Sequence, residues 1–188
     1  MAKSVIGVDE VGRGAWAGPL LIVAARQNNL LPSTIKDSKL LSKSIREKLF
    51  FDIEIACDIG EGWVMPAEID QLGLTKAMIL GTSRALDDLN ALINETIIFD
   101  GNINFCHKKF IKSSAVIDAD ALFPVVSAAS VYAKVKRDNF MSELPARYQQ
   151  YGFASHVGYG TKLHMDMLKK YGVCDIHRKS FAPIKAML

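Results

Sequence analysis

Apolar residues along this chain fall into two rhythms, short solid blocks and longer stretches with helical spacing. The first block, residues 4–8, holds Val5, Ile6 and Val8, β-formers in a run of buried-strand length. A second block at 19–25 has the same character, and residues 9–18 between them carry Gly12, Gly14 and Gly18, as a tight connection requires. Ser42 is the N-cap of a helix over 42–51, with Ile45 and Leu49 on one face. Residues 53–65 read as a strand bulged at Gly60 and Gly62. Pro66 then opens a long helix in which Leu72, Ile79, Leu86 and Ile93 recur every seven residues, flanked by Met78, Ala85 and Leu89. Further strands are expected at 96–99, ending at Asp100-Gly101, and at 114–117. Pro124 starts a helix running to about Met141, a shorter helix covers 161–171, and the tail from Gly172 has no regular pattern.

Strands that cluster first and alternate with helices later, without an internal repeat or a long linker, predict an α/β domain with a mixed central sheet and helices on its faces. The 188 residues make one domain with at most a small appendage. A composition that is 49% hydrophobic and 23% charged buries a sizeable core and excludes a disordered chain. No apolar run approaches the ~18 residues of a membrane span, and Asp9 and Glu10 interrupt the only N-terminal stretch that could serve as a signal peptide. Cys57, Cys106 and Cys174 are odd in number and far apart, which argues against disulfides and for a reducing, cytoplasmic setting; without CxxC spacing a structural zinc is not expected.

The net charge of +3 hides an asymmetry: residues 1–100 hold 10 Lys and Arg against 14 Asp and Glu, and residues 101–188 hold 13 against 6. Random drift of surface charge gives such numbers too, and charge alone decides nothing. The positions of the acids say more. Asp9 follows the first strand, with Glu10 directly after it, Asp100 follows the strand at 96–99, and Asp118 or Asp120 closes the run at 115–117. Ligand sites in open α/β sheets form outside strand ends. Acids gathered there repel one another unless cations neutralise them, and carboxylate-only donors suit Mg²⁺ or Mn²⁺. A pair of such ions is the usual apparatus for in-line attack on a phosphodiester. Taken singly, each acid is more simply a solubilising strand cap. On the helix after Pro124, Ser127, Ser130, Lys134 and Arg137 share one stripe opposite Val125, Ala129 and Ala133, which suits a phosphate backbone or a solvated face equally. The four histidines form no ligand pattern, with His107 solvated beside two lysines and His164 on a short helix face.

The segment Gly7-Val8-Asp9-Glu10-Val11-Gly12-Arg13-Gly14 resembles the signature of ribonuclease HII, the type 2 RNase H family. The resemblance continues in order along nearly the whole chain. It includes Asp37-Ser38-Lys39 with Leu41-Ser42, Glu68-Ile69-Asp70, Phe99-Asp100-Gly101-Asn102, Ser127-Ala128-Ala129-Ser130 with Ala133-Lys134-Val135 and Arg137-Asp138, Tyr151-Gly152-Phe153, His156, Gly158-Tyr159, and His177-Arg178-Lys179-Ser180-Phe181.

The resemblance implies an RNase H-like fold forming a single catalytic domain over 1–188, with a substrate-contacting helical region from about residue 143. It implies an endonuclease for the RNA strand of RNA/DNA hybrids that also cuts beside a single ribonucleotide in duplex DNA, leaving a 3′-hydroxyl and a 5′-phosphate. Asp9, Glu10, Asp100 and Asp120 would be the catalytic acids and would hold two Mg²⁺ or Mn²⁺ ions. Gly12-Arg13-Gly14 would sense the ribose 2′-hydroxyl with its backbone, Tyr159 would stack on the neighbouring sugar, and Lys39, Ser130 and Lys134 would meet phosphates. The working unit is expected to be a monomer with no membrane association. On glycine spacing alone, a plain turn at 12–14 is the simpler account.

Three departures bear on this. Gly160 stands where the family usually has proline, which predicts a looser Tyr159 loop; Gly73 stands in place of asparagine; and Asp118 stands where a lysine is usual. Side chains two apart on a strand share a face, so alternation leaves Asp118 and Asp120 unresolved, and only the family register favours Asp120. Two rivals remain at this point: a resolvase-like two-metal DNA nuclease, which needs no Gly-Arg-Gly element, and a hybrid-binding module without catalysis, which would have a broken acidic set.

Overall fold

A computed structural model describes residues 5–35, 42–144 and 146–188. Five strands form one mixed sheet in the order β3-β2-β1-β4-β5, with β1 at Val5–Val11, β2 at Leu20–Gln27, β3 at Cys57–Val64, β4 at Thr96–Asp100 and β5 at Ser113–Val116. The β1–β2 and β2–β3 pairs are antiparallel, whereas β4 lies parallel to both β1 and β5. The mixed α/β architecture expected from the pattern is therefore present.

Period-two alternation divides the sheet's apolar residues between two cores. One face carries Leu21, Val23, Ala25 and Ile98 against helices α1 (Lys43–Ala56) and α5 (Pro124–Ser142). The other carries Ile6, Val8, Ile22, Ile97 and Phe99 against α2 (Pro66–Leu72) and α3 (Leu74–Asp88). Beyond α5 the chain forms a 3₁₀ helix at Ala146–Tyr151, then α6 (Phe153–His156), α7 (Lys162–Tyr171) and α8 (Ala182–Lys185). Tyr148, Tyr151, Phe153 and Ile176 there make a third small core with Ala17 and Met141.

Several expectations are corrected. The helix from Ser42 runs on to Ala56, because Leu49, Ile53 and Ala56 continue its buried stripe, and the strand begins only at Cys57. That strand has no bulge, since its register with β2 is unbroken from Leu20 opposite Val64 to Gln27 opposite Cys57. Gly60 and Gly62 instead admit α3, where a Cβ would come within 2.1 Å of the Ala85 carbonyl oxygen or 1.9 Å of that of Gly81. The long helix after Pro66 breaks at Gly73, whose φ of 74° is left-handed. Its core-facing stripe is Ala77, Met78, Gly81, Ala85 and Leu86, while Ile79 and Ile93 are exposed. The expected apolar face is thus kept at Met78, Ala85, Leu86 and Leu89 and lost at Ile79 and Ile93. The run at 114–117 ends before its acids, and a short helix α4 (Ala119–Leu122) carries Asp120.

Candidate active site

The parallel ladder of β1 and β4 ends with Val8 opposite Phe99, so the next residue on each strand is an acid, Asp9 beside Asp100. Gly7 and Ile98 face α5, and alternation turns Asp9 and Asp100 to that same side. Gly7 makes the approach of α5 feasible, because a Cβ there would lie 2.5 Å from the Val125 carbonyl carbon. Asp9 does not end its strand, as β1 continues to Val11 against β2. Asp100 is the last residue of β4, and its Oδ1 accepts from the Ala119 N–H at 2.8 Å, which ties α4 to the strand end. Asp120 is buried, and its carbonyl accepts from the Ser127 hydroxyl on α5. Asp118 is exposed, in a left-handed conformation with φ 55° at the head of α4. The two acids thus do not share a strand face; a helix turn separates them and buries one.

Burial is the largest cause that pushes the Asp9 carboxyl up to about 7, and the charges of Glu10 and Asp100 add to it. Hydrogen bonds from Ser130 and from the Glu10 N–H, the latter at 2.8 Å, act in the opposite direction. Glu10 is also raised, chiefly by burial and further by Asp100, while the Arg13 guanidinium 3.6 Å away lowers it. Among the described residues, no three acids, histidines or cysteines already close around one point. The arrangement is instead an open row of carboxylates, and at Asp9 and Glu10 the surroundings disfavour the charge. This is the electrostatic setting that hard divalent cations relieve, and an all-oxygen donor set suits Mg²⁺ or Mn²⁺.

The Gly12-Arg13-Gly14 loop follows directly from β1. Gly12 is buried with φ +85°, and its missing side chain makes room for Arg137, whose Nε would lie 2.2 Å from a Cβ. Gly14 is exposed and has nothing within 4 Å on its Cβ side. The two glycines therefore differ: one is required by the fold, and the other stands exposed with open space on its Cβ side. Arg13 is about half exposed.

The helix stripe divides in the same way. Ser127 and Arg137 are buried and bonded within the protein, so neither faces a phosphate. Ser130 turns to Asp9, and Lys134 stays partly exposed in an ion pair with Asp138 at 2.8 Å. Lys39 lies outside the described residues. Tyr159 is half-buried on the loop between α6 and α7, with the Arg137 guanidinium 5.6 Å from its ring centroid. That loop is not loose: Gly160 lies against Trp16, whose indole would meet a Cβ at 2.2 Å.

Two groups that stand mostly in the family-like segments have supporting places that residue spacing did not show. Arg137 and Arg178 are fully buried and bond to main-chain carbonyls: Arg137 to Ala17, Pro19 and Val157, Arg178 to Arg13 and Gly18. Together they brace both loops of the site, and burial and the Arg137 charge press Arg178 down to about 9. Three histidines, His156, His164 and His177, are buried in an aromatic cluster behind Tyr159. Spacing gave no signal for either group, because the partners are main-chain atoms and rings from distant segments.

Comparison with known proteins adds a further line. Residues 6–184 match the family model described as ribonuclease HII. A curated relative from Shewanella sp. (strain W3-18-1), named ribonuclease HII, is 44% identical over 189 residues, covering 98% of this chain and 90% of its own. The crystal structure of ribonuclease H2 from Pyrococcus horikoshii OT3 superposes with a TM-score of 0.73 at 28% identity, covering 98% of this chain and 96% of that one. Bst-RNase HIII, solved in complex with Mn²⁺, shares the fold at a TM-score of 0.70 and 18% identity, over 98% of this chain and 68% of its own.

Proposed function

The chain belongs to the ribonuclease HII family, hydrolytic endoribonucleases acting on RNA/DNA hybrids, and from that premise we propose that it also cuts beside single ribonucleotides embedded in duplex DNA, leaving a 3′-hydroxyl and a 5′-phosphate. The observation that carries this reading is the row of mutually repelling acids Asp9, Glu10 and Asp100 joined, through the Glu10–Arg13 contact, to a loop whose Gly14 main chain is open. Asp9, Glu10, Asp100 and Asp120 would hold two Mg²⁺ or Mn²⁺ ions. Bound there, such ions acidify an attacking water and balance charge on the leaving oxygen.

The chain's own groups do the rest. The Ser130 hydroxyl keeps the Asp9 carboxylate turned into the site, and Ala119 N–H does the same for Asp100. Main chain at Gly14 lies against the ribose, where the 2′-hydroxyl distinguishes RNA from DNA. Arg13 moves from Glu10 to the substrate as cations and nucleic acid arrive. Lys134 exchanges Asp138 for a phosphate, Lys39 contributes a second phosphate contact, and the Tyr159 ring stacks on the sugar beside the ribonucleotide. The elements from about residue 143 onward carry Tyr159 and form the substrate-contacting part of a single domain over 1–188.

The test is a set of three duplexes incubated with Mg²⁺, with Mn²⁺ or with EDTA: one with a single ribonucleotide, one long RNA/DNA hybrid, and one all-DNA. Cation-dependent cutting of the first two and none of the third is expected. Efficient nicking of the all-DNA duplex would favour the resolvase-like rival, and cutting of the hybrid alone would remove the single-ribonucleotide activity.

A further inference from the structure

Behind Tyr159 lie three imidazoles, two of them linked by a hydrogen bond whose direction is fixed at both ends by main-chain atoms. The Cys174 N–H donates to His177 Nδ1 at 3.0 Å, so that nitrogen carries no proton and His177, when neutral, is protonated on Nε2. His177 Nε2 stands 3.1 Å from His164 Nε2, which must then accept. His164 is therefore protonated on Nδ1, and it donates to the Tyr159 carbonyl at 3.0 Å. His156, stacked on His164 with ring centroids 4.4 Å apart, accepts from the Gly158 N–H and donates to the Tyr151 carbonyl. Every ring is satisfied in one tautomer, and every ring must be neutral.

The chain ends at the residue that matters. The Tyr159 carbonyl receives two donors, His164 Nδ1 and the Thr161 N–H, and the Tyr159 N–H bonds to the His156 carbonyl. Two residues earlier Val157 holds a left-handed conformation, φ 44°, which a β-branched residue adopts only when its surroundings enforce it. Trp16, with its ring 5.5 Å from that of His164, closes the other side against Gly160.

We infer that His164 and His177 are positioning residues for Tyr159: the imidazole chain from Cys174 through the Nε2–Nε2 bond fixes the Tyr159 main chain, and through it the ring that meets the sugar. This rests on the substrate-side reading of Tyr159. Protonation of His164 sets two Nε2–H donors face to face at 3.1 Å, and protonation of His177 sets its Nδ1–H against the Cys174 N–H at 3.0 Å, so either event breaks the imidazole chain. The groups around the pair are His156, the Cys174 thiol, the Tyr151 hydroxyl and Asp175, with Asp70 and Lys179 at the cleft beside His177 and the two buried guanidiniums near Tyr159. Burial outweighs the main-chain hydrogen bond at each ring, and Asp175 at His177, and lowers both rings to about 4. The link is closed at neutral pH and opens in acid.

The test has two arms, both on the full chain. Ring ¹⁵N NMR at pH 7 should show His164 protonated on Nδ1 and His177 on Nε2. On acidification, protection of the Tyr159 and Thr161 amides, taken relative to their intrinsic exchange rate at each pH, should fall in step with protonation of the two rings. The opposite tautomers, or rings that titrate while these amides stay protected, overturn the proposal without any substitution. The second arm measures KM and kcat on the single-ribonucleotide duplex for His164→Leu and His164→Asn, each alone and with Tyr159→Ala. Loss of one hydrogen bond should raise KM for His164→Leu about 5-fold with little change in kcat. His164→Asn, which keeps a donor for the Tyr159 carbonyl, should recover most of it. Neither should add to Tyr159→Ala. Full additivity overturns the positioning role alone, whereas a parental KM for Tyr159→Ala overturns the substrate reading of that ring and the positioning role with it.

Discussion

Replacing Asp9 by asparagine should make the metal-free protein more stable while removing its activity. The carboxyl is 8% exposed and sits between Glu10 and Asp100. These surroundings raise it from 3.8 to about 7. A raised acid keeps, in the folded chain, a proton that the unfolded chain has released, so stability falls as pH climbs from about 4 to about 7 and the full penalty stands above that. Three units at 1.36 kcal/mol each come to about 4 kcal/mol at pH 8. Asparagine has the same shape, and its Oδ1 still accepts from Ser130 or the Glu10 N–H. Its amide group finds no ideal partner, so a net gain of about 2–4 kcal/mol is expected, equivalent to roughly 5–15 °C in Tm for a chain of this size.

Thermal unfolding in EDTA at pH 8 and at pH 4.5, for the parent and Asp9→Asn, measures this directly. The histidine chain titrates in the same acid range, but it is common to both proteins and cancels in the difference. The gain should be large at pH 8 and nearly absent at pH 4.5. Mg²⁺ should stabilise the parent and leave the variant almost unmoved, because a ligand stabilises only the state that binds it. Equal Tm values at pH 8, or a gain that persists unchanged in acid, would refute the account of Asp9 as a buried charge awaiting a cation.

Three further outcomes follow from the same geometry. Asp100→Asn keeps an acceptor for the Ala119 N–H, so it should fold normally yet lose cleavage by ~100-fold or more, since several kcal/mol of cation-assisted stabilisation go with the charge; near-parental turnover at saturating Mg²⁺ counts against it. Gly12→Ala, at φ +85° against Arg137, should cost more than ~1 kcal/mol in denaturant unfolding, whereas Gly14→Ala should change stability by under ~0.5 kcal/mol and reduce the preference for ribonucleotide over all-DNA duplex. Reversed effects at the two glycines would show the loop reading to be wrong. Asp120→Asn should depress turnover and raise the Mg²⁺ requirement, while Asp118→Asn, exposed at the head of α4, should cost little; a Mg²⁺ titration that ranks them the other way makes Asp118 the ligand.

The fold was legible wherever local pattern and tertiary burial agree. The blocks around Val8, Ile22 and Phe99 became the central strands because both faces of that sheet are covered and a solid apolar run is what such a strand needs. Legibility failed where two periods compete. Ile53 belongs to a strand by residue type and to a helix by its spacing from Leu49, and packing against α5 decided for the helix. Ile79 fits a seven-residue repeat with Leu86, but close approach of α3 to Gly60 and Gly62 turns Gly81 and Ala85 inward and leaves Ile79 at the surface. Small residues that permit contact outrank large ones that only seek it.

The site divides along a similar line. The gathering of Asp9, Glu10 and Asp100 was legible because acids follow separate apolar runs and strand register brings neighbouring residues together. By its place on the helix Arg137 suits a phosphate contact or a solvated face equally, because a cation on a helix usually faces water; here its partners are three carbonyls from other segments, and no spacing rule encodes them. The same holds for His164, which occupies an ordinary position on a short helix yet is fully buried between Tyr159 and His177. Groups that touch substrate keep a local signature, since chemistry fixes residue type and spacing near the reacting atoms. Groups that hold those residues in place are fixed only by what surrounds them. For that reason the supporting arginines and histidines emerge from packing, and the acids they surround can be read from the chain.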